Sequence, residues 1–233
     1  WFNCACCPPN IMRLLASLEH YLATTSGDTL YLHQYTGSRL SGADLDLEVT
    51  TDYPWSGAVH LRVLAAPAAE RGIALRIPAW STHTRISINN KDHDSERNVV
   101  LPSYHHLRRA WRPGDEITLR LDLTPRWTHP DRRVDAVRGC VAIERGPLIY
   151  CFEQADQPAG VPVDDLAVRP GAVLGERPVT LPGIGQTIEV TADGVHLPAA
   201  APVTAIAIPY FQWDNRDGHA MRIWIPRAAA ATP

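Results

Sequence analysis

The 233 residues contain no run of about 18 consecutive apolar residues, so no segment reads as a membrane-spanning helix. There is no surplus of charge of one sign either. Lys and Arg total 22 against 25 Asp and Glu, and the net charge of −3 offers no basic footprint for nucleic acid. The chain begins with Trp1 and lacks a leader-peptide pattern, so it is expected to be a piece of a longer protein. Cysteine is scarce and odd in number. Five residues, three of them within Cys4-Ala5-Cys6-Cys7, do not describe a disulfide framework and favour a reducing, cytoplasmic compartment. Internal repeats and low-complexity tracts are absent, and helical periodicity disappears after Gly27. What is present is a 45% hydrophobic composition, enough to build the core of one large or two modest domains.

The first two dozen residues carry the densest chemistry. Cys4, Cys6 and Cys7 precede Pro8-Pro9, and proline is tolerated in a first helical turn because its missing N–H would be unpaired there. Ile11, Leu14, Leu15, Leu18 and Leu22 then follow the spacing of one buried helix face, which predicts a helix from about Pro9 to about Thr24. Thiols just before a helix N-terminus meet the positive end of the dipole and free N–H groups, which favour thiolate, the form that binds metal or attacks carbon. Inert packing of small hydrophobic side chains is the competing reading. A disulfide between near neighbours would be strained. A zinc site needs four ligands, or three and an open position, and this segment offers at most three.

Beyond Gly27 the pattern is that of strands. Thr29–Tyr35 and the alternating Leu45–Tyr53 come first, followed by Ala58–Val63, Ile73–Ile77, Arg85–Asn89, Asn98–Leu101, Leu107–Trp111 and Glu116–Leu123. Turn residues separate them, as in Arg112-Pro113-Gly114-Asp115. Short strands at this spacing predict an antiparallel β-sandwich closing near Pro125. A second β segment starts near Arg133, with strands at Gly139–Glu144, Leu148–Phe152, Thr187–Val190, Thr204–Ile208 and Met221–Ile225. Residues 154–185 read as long loops holding one short strand, and the tail from Ala228 as disordered.

Several constellations carry a chemical and a structural reading side by side. Glu144 and Glu153 flank Arg145-Gly146-Pro147 like a carboxylate pair, but ion pairing on a strand explains Glu144 better than catalysis. His105-His106 could bind metal, yet adjacent histidines without a partner at strand or helix spacing read as exposed loop residues. Asp44, Asp46 and Glu48 suit the solvated face of a strand better than a calcium site. The loop Tyr210–Arg216 offers aromatics for stacking on a sugar and Asn215 and Arg216 as donors to hydroxyls; a packed corner is the alternative. Trp55, Trp80, Trp111 and Trp127 read as core or interdomain residues.

Taken together, Cys6-Cys7-Pro8-Pro9-Asn10 with Arg13, Ile77-Pro78-Ala79-Trp80, Trp111–Asp115, Glu144–Cys151 and Pro209-Tyr210 with Trp213–Arg216, Met221 and Trp224 resemble glycoside hydrolase family 127, the β-L-arabinofuranosidases. The resemblance spans nearly the whole chain. It implies a mostly β fold: two antiparallel β-sandwich domains preceded by the last helix of an otherwise absent (α/α)6 barrel. Residues 1–25 would be that helix with its cysteine motif, 26–127 the first sandwich and 128–233 the second.

By the same resemblance, Cys6 is the catalytic nucleophile of a retaining double displacement, and Cys6 and Cys7 are ligands of a zinc cofactor. Cys4 has no assigned role. The family's acid/base glutamate, and the glutamate and cysteine that complete its zinc site, precede this segment, so the chain alone is expected to lack useful glycosidase activity. The expected partners are an arabinose-containing oligosaccharide or glycoconjugate and the missing N-terminal barrel, without nucleic acid or membrane; a homodimer is left open. Two other classes of function compete: a non-catalytic β-sandwich module for glycan binding or support, and a thiol-based metal or redox protein.

Overall fold

The computed structural model describes residues 6–93, 103–183, 185–216 and 220–228. Cys4, the strand expected at Asn98–Leu101, the last residues of the tail, and Asp217 and Gly218 after the aromatic loop lie outside them. Two compact units divide between Asp122 and Leu123.

The first unit opens with helix α1, Cys7–Ser17, which tightens into a 3-10 turn at Leu18–Tyr21. The helix is shorter than its periodicity predicts. Thr24 and Thr25 are β-branched residues better suited to a strand, and they enter β1 (Ala23–Ser26), which pairs across Gly27 and Asp28 with β2 (Thr29–Leu32). Gly27 takes a φ of +57°, the left-handed conformation that this two-residue turn requires. The apolar stripe of α1 also departs from expectation. None of its residues is buried, and Ile11 and Leu15 are 59% and 66% exposed.

Among the described residues this unit holds eight further strands: β3 (Ser38–Gly42), β4 (Leu45–Thr51), β5 (Ala58–Ala65), β6 (Arg71–Ile77), β7 (Arg85–Ile88), β8 (Lys91–His93), β9 (Ser103–Arg109) and β10 (Glu116–Arg120). They form a four-stranded sheet in the order β1-β2-β6-β9 and a six-stranded sheet in the order β3-β4-β5-β10-β7-β8. Among the described residues all pairings in this unit are antiparallel except β2 beside β6. Leu32, Ile73 and Leu107 from one sheet meet Leu47, Leu61 and Ile117 from the other in a single core. Each such side chain contributes about 1.5–3 kcal/mol by leaving water. Strands β3 and β8 lack a strong strand pattern of their own. Hairpin turns with positive φ at Ala43-Asp44 and Asn89-Asn90 lay them against β4 and β7.

The second unit holds β11 (Arg126–Thr128), β12 (Cys140–Arg145), β13 (Leu148–Glu153), β14 (Leu166–Val168), β15 (Gly175–Leu181), β16 (Gly185–His196), β17 (Ala201–Pro209), β18 (Met221–Arg222) and β19 (Ile225–Pro226). These strands form one sheet along β11-β12-β13-β17-β16-β14, with β15, β18 and β19 added to β16, β13 and β12. Tyr150, Phe152, Val190 and Ala207 lie in its core. The stretch 154–185 holds two strands rather than one. Most of β15 is exposed and includes Pro178, so its strand conformation comes from pairing with β16 along seven residues at the sheet's margin.

An ion network ties the end of β13 to the loop after β17. Arg216 donates to Asp156 at 2.6 and 2.7 Å and to Glu153 Oε2 at 2.5 Å. The Glu153 side chain is fully buried, and its Oε1 has no partner among the described residues. The neighbouring Cys151 thiol is pushed up to about 12, by burial first and then by the charges of Glu153 and Asp156, which makes it an inert packing residue.

Two outcomes are expected. Removing the cation strands two shielded carboxylates, so Arg216→Ala should lower the urea-measured stability of the second unit by about 3–5 kcal/mol; a loss below about 1 kcal/mol would show that the network is dispensable. In the first unit, hydrogen bonds from Arg108 hold the Asp28 carboxyl at about 2, below its ordinary 3.8. A depressed carboxylate stabilises the fold above its unfolded value, and that contribution fades as pH falls from about 4 towards 2. Thermal midpoints of Asp28→Asn should therefore vary less with pH across that window than those of the unaltered chain. Salt should narrow the difference, because the pair is exposed.

Candidate active-site segment

Cys6 occupies the N-cap of α1 and Cys7 is its first residue, so both thiols stand at the helix start as the sequence suggests. Both are exposed and outside any disulfide, with Sγ atoms 3.6 Å apart. The donor supply is poorer than expected, because Pro8 and Pro9 fill the next two helical positions and carry no N–H. Among the described residues the helix has no side-chain cap and no acidic residue in its first turn, so nothing described there offsets the positive end beside the sulfurs. One turn on, Arg13 Nη1 donates to Asn10 Oδ1 at 2.8 Å, which holds the two polar residues of the motif together.

The sulfur pair can be tested against zinc. Two thiolates on one tetrahedral zinc, each about 2.3 Å from it, stand roughly 3.8 Å apart. The observed 3.6 Å fits half of such a site. No third donor joins them: among the described residues no group of three or more His, Cys, Asp or Glu could hold a metal.

The other sequence candidates resolve mostly into structure. Glu144 receives Arg126, which also donates to the Gly146 carbonyl. Glu153 is held by Arg216, so the two carboxylates are separately neutralised. Asp44 and Glu48 receive Arg71 and Arg39. The aromatic loop is a packed corner in which Tyr210 stacks on Trp213 with centroids 6.1 Å apart. Asn215 donates to the carbonyls of Gln212 and Trp213, and Arg216 turns to the buried carboxylates, so neither is left to meet a sugar hydroxyl. Trp111 is buried and donates to the Arg71 carbonyl at 3.0 Å; Trp80 and Trp127 pack against the cores of their own units.

The histidines differ from their sequence reading. His105 and His106 lie within β9 rather than in a loop, and the pleat separates them. His106 meets Tyr31 on the outer face, where Tyr104 also contacts Tyr31 and His33. His105 meets His93 instead. Nothing in the linear spacing marks these two as neighbours.

Comparison with known proteins supplies the family. Residues 29–123 match the model described as the β-L-arabinofuranosidase GH127 middle domain, and residues 125–226 match the glycoside hydrolase family 127 C-terminal domain. A non-reducing end β-L-arabinofuranosidase from Bifidobacterium longum is 33% identical over 96% of this chain and 37% of its own length. The crystal structure of a GH127 β-L-arabinofuranosidase from Geobacillus stearothermophilus superposes with a TM-score of 0.87 at 31% identity, covering 98% of this chain and 38% of that one. A further structure, titled a GH127 β-arabinofuranosidase, gives 0.85 at 26% identity over 98% of this chain and 39% of its own. The chain thus spans little more than a third of the length of these relatives. Both of its β-rich units match successive domains of one family, and the chain belongs to glycoside hydrolase family 127.

Proposed function

We propose that this chain is the C-terminal part of a retaining glycoside hydrolase that releases β-L-arabinofuranosyl residues, with Cys6 as its nucleophile. The observation that supports the reading is the exposed vicinal thiol pair at the start of α1, in a chain of this family. The Cys6 thiolate attacks the anomeric carbon as the glycosidic C–O bond breaks, and the leaving oxygen takes a proton from a general acid outside this chain. Water, deprotonated by the same group, then attacks the anomeric carbon. The C–S bond breaks, thiolate returns, and two inversions give net retention.

Cys6 and Cys7 would hold zinc, whose chemistry is to keep a thiol ionised at neutral pH and fix its direction. Within this chain, Pro8 and Pro9 stiffen the backbone that carries the sulfurs, and α1 points its positive end at them. The exposed stripe of Ile11, Leu14, Leu15 and Leu18 would pack against the N-terminal portion that the relatives carry in addition. The substrate is an arabinose-containing oligosaccharide or glycoconjugate.

The chain by itself is expected to hydrolyse no aryl β-L-arabinofuranoside, since general acid assistance alone is worth about 10²–10⁴-fold. In the protein extended by its catalytic portion, Cys6→Ser should lower kcat/KM by roughly 10³-fold or more. Mass spectrometry of the unaltered enzyme after brief exposure to substrate should find one pentosyl group on the peptide containing Cys6. Undiminished turnover by the serine variant would refute the assignment.

A further inference from the structure

Cys6 heads a polar stripe on α1. Its backbone already has helical angles, φ −66° and ψ −38°, so the helical repeat can be counted from it. At 3.6 residues per turn, Cys6, Asn10 and Arg13 fall within roughly 60° of one another around the axis. The apolar stripe of Ile11, Leu14, Leu15 and Leu18 lies to one side of them. Helical side chains lean towards the N-terminus, so Asn10 covers the turn that carries Cys6, and Arg13 covers the turn that carries Asn10. The bond from Arg13 Nη1 to Asn10 Oδ1 at 2.8 Å follows that direction.

This bond also orients the amide. A guanidinium only donates, so Asn10 turns its oxygen to Arg13 and its NH₂ group away from it. Among the described residues no hydrogen bond takes up that NH₂ group. Backbone donors are scarce at this end of the helix. Pro8 and Pro9 carry none, and the Asn10 N–H is taken by the Cys6 carbonyl at 3.3 Å. Of the side-chain N–H donors on α1, the Asn10 amide stands nearer Cys6 in the chain, with its direction set by Arg13.

We propose that Asn10 binds the sugar that Cys6 attacks, donating from its NH₂ group to the hydroxyl on C3, while Arg13 acts through Asn10 as a positioning residue. The inference rests on the reading of Cys6 as nucleophile. Displacement brings sulfur to the ring face opposite the leaving oxygen. In a β-L-arabinofuranoside the leaving oxygen, the hydroxyl on C2 and the exocyclic carbon share one face, and the hydroxyl on C3 projects from the other. It is therefore the ring hydroxyl on the side of the sulfur. A side chain one helical turn from Cys6, with Cβ atoms about 5–6 Å apart, stands on that side too. Holding this hydroxyl aligns the anomeric carbon with the sulfur.

The test uses the protein extended by its catalytic portion, with aryl β-L-arabinofuranosides intact, 3-deoxy or 2-deoxy. Asn10→Ala should lower kcat/KM on the intact substrate about 10–100-fold, the loss of one such hydrogen bond. On the 3-deoxy substrate the same change should cost less than about threefold, and on the 2-deoxy substrate the full factor should return. Arg13→Ala should give a smaller loss with the same substrate pattern, restored by Arg13→Lys. Should Asn10→Ala fail to fold, the two Arg13 variants on these substrates decide the matter. A penalty equal on all three substrates, or one that vanishes on the 2-deoxy substrate, would overturn the proposal. Mass spectrometry of the Cys6 peptide separates the two readings. A pentosyl group that forms on Cys6 at a rate indifferent to Asn10→Ala overturns the role of Asn10 and keeps Cys6; no pentosyl group in the unaltered enzyme overturns the assignment of Cys6 and, with it, that of Asn10.

Discussion

A strand can bury only every second side chain, and the first unit depends on that constraint. Along β2, Leu30 and Leu32 enter the core while Tyr31 faces outward; along β9, His105 and Leu107 turn in while Tyr104 and His106 turn out. The row Tyr31–Ala74–His106 shows how the two faces cooperate. Ala74 is small, so the rings on either side meet above it, and the alanine is fully shielded although it lies on the outer face. A one-residue slip of register would exchange these faces and send the histidines and tyrosines into the core.

The second unit adds a different kind of constraint. Its loop after β17 carries charge and aromatic surface together, and the structure separates them. Tyr210 and Trp213 stack on each other, while Gln212 receives a hydrogen bond from Thr187 at 2.7 Å inside the protein. Arg216 turns to Glu153 and Asp156. Burying these groups is tolerable only because nearly every charge has a partner within hydrogen-bonding distance. The loop's donors thereby become the joints of a corner.

Much of the strand pattern was legible because alternation and turn chemistry are local. Leu45–Thr51, Ala58–Ala65 and Arg71–Ile77 lie where their apolar residues imply, and Gly114 sits with a φ of +92° in the turn that Pro113 announces. The misses share a cause. Strands β1, β3, β8 and β15 owe their conformation to a neighbour across a hairpin, and a pattern confined to one segment does not carry its partner. The length of α1 was overread for the same reason: Leu18 and Leu22 continue the helical spacing, but Thr24 and Thr25 are claimed by pairing with Tyr31 and Leu30.

The sequence by itself determined the thiol pair at a helix start, the mostly β architecture and the family, because each rests on residues close together in the chain or on motifs in fixed order. Only the tertiary structure decided that Arg216 serves two buried carboxylates rather than a ligand, and that His105 finds His93 rather than its neighbour His106. Those outcomes depend on which strands lie side by side and which face each side chain takes. They follow from sheet pairing over long separations, which adjacent residue types do not encode.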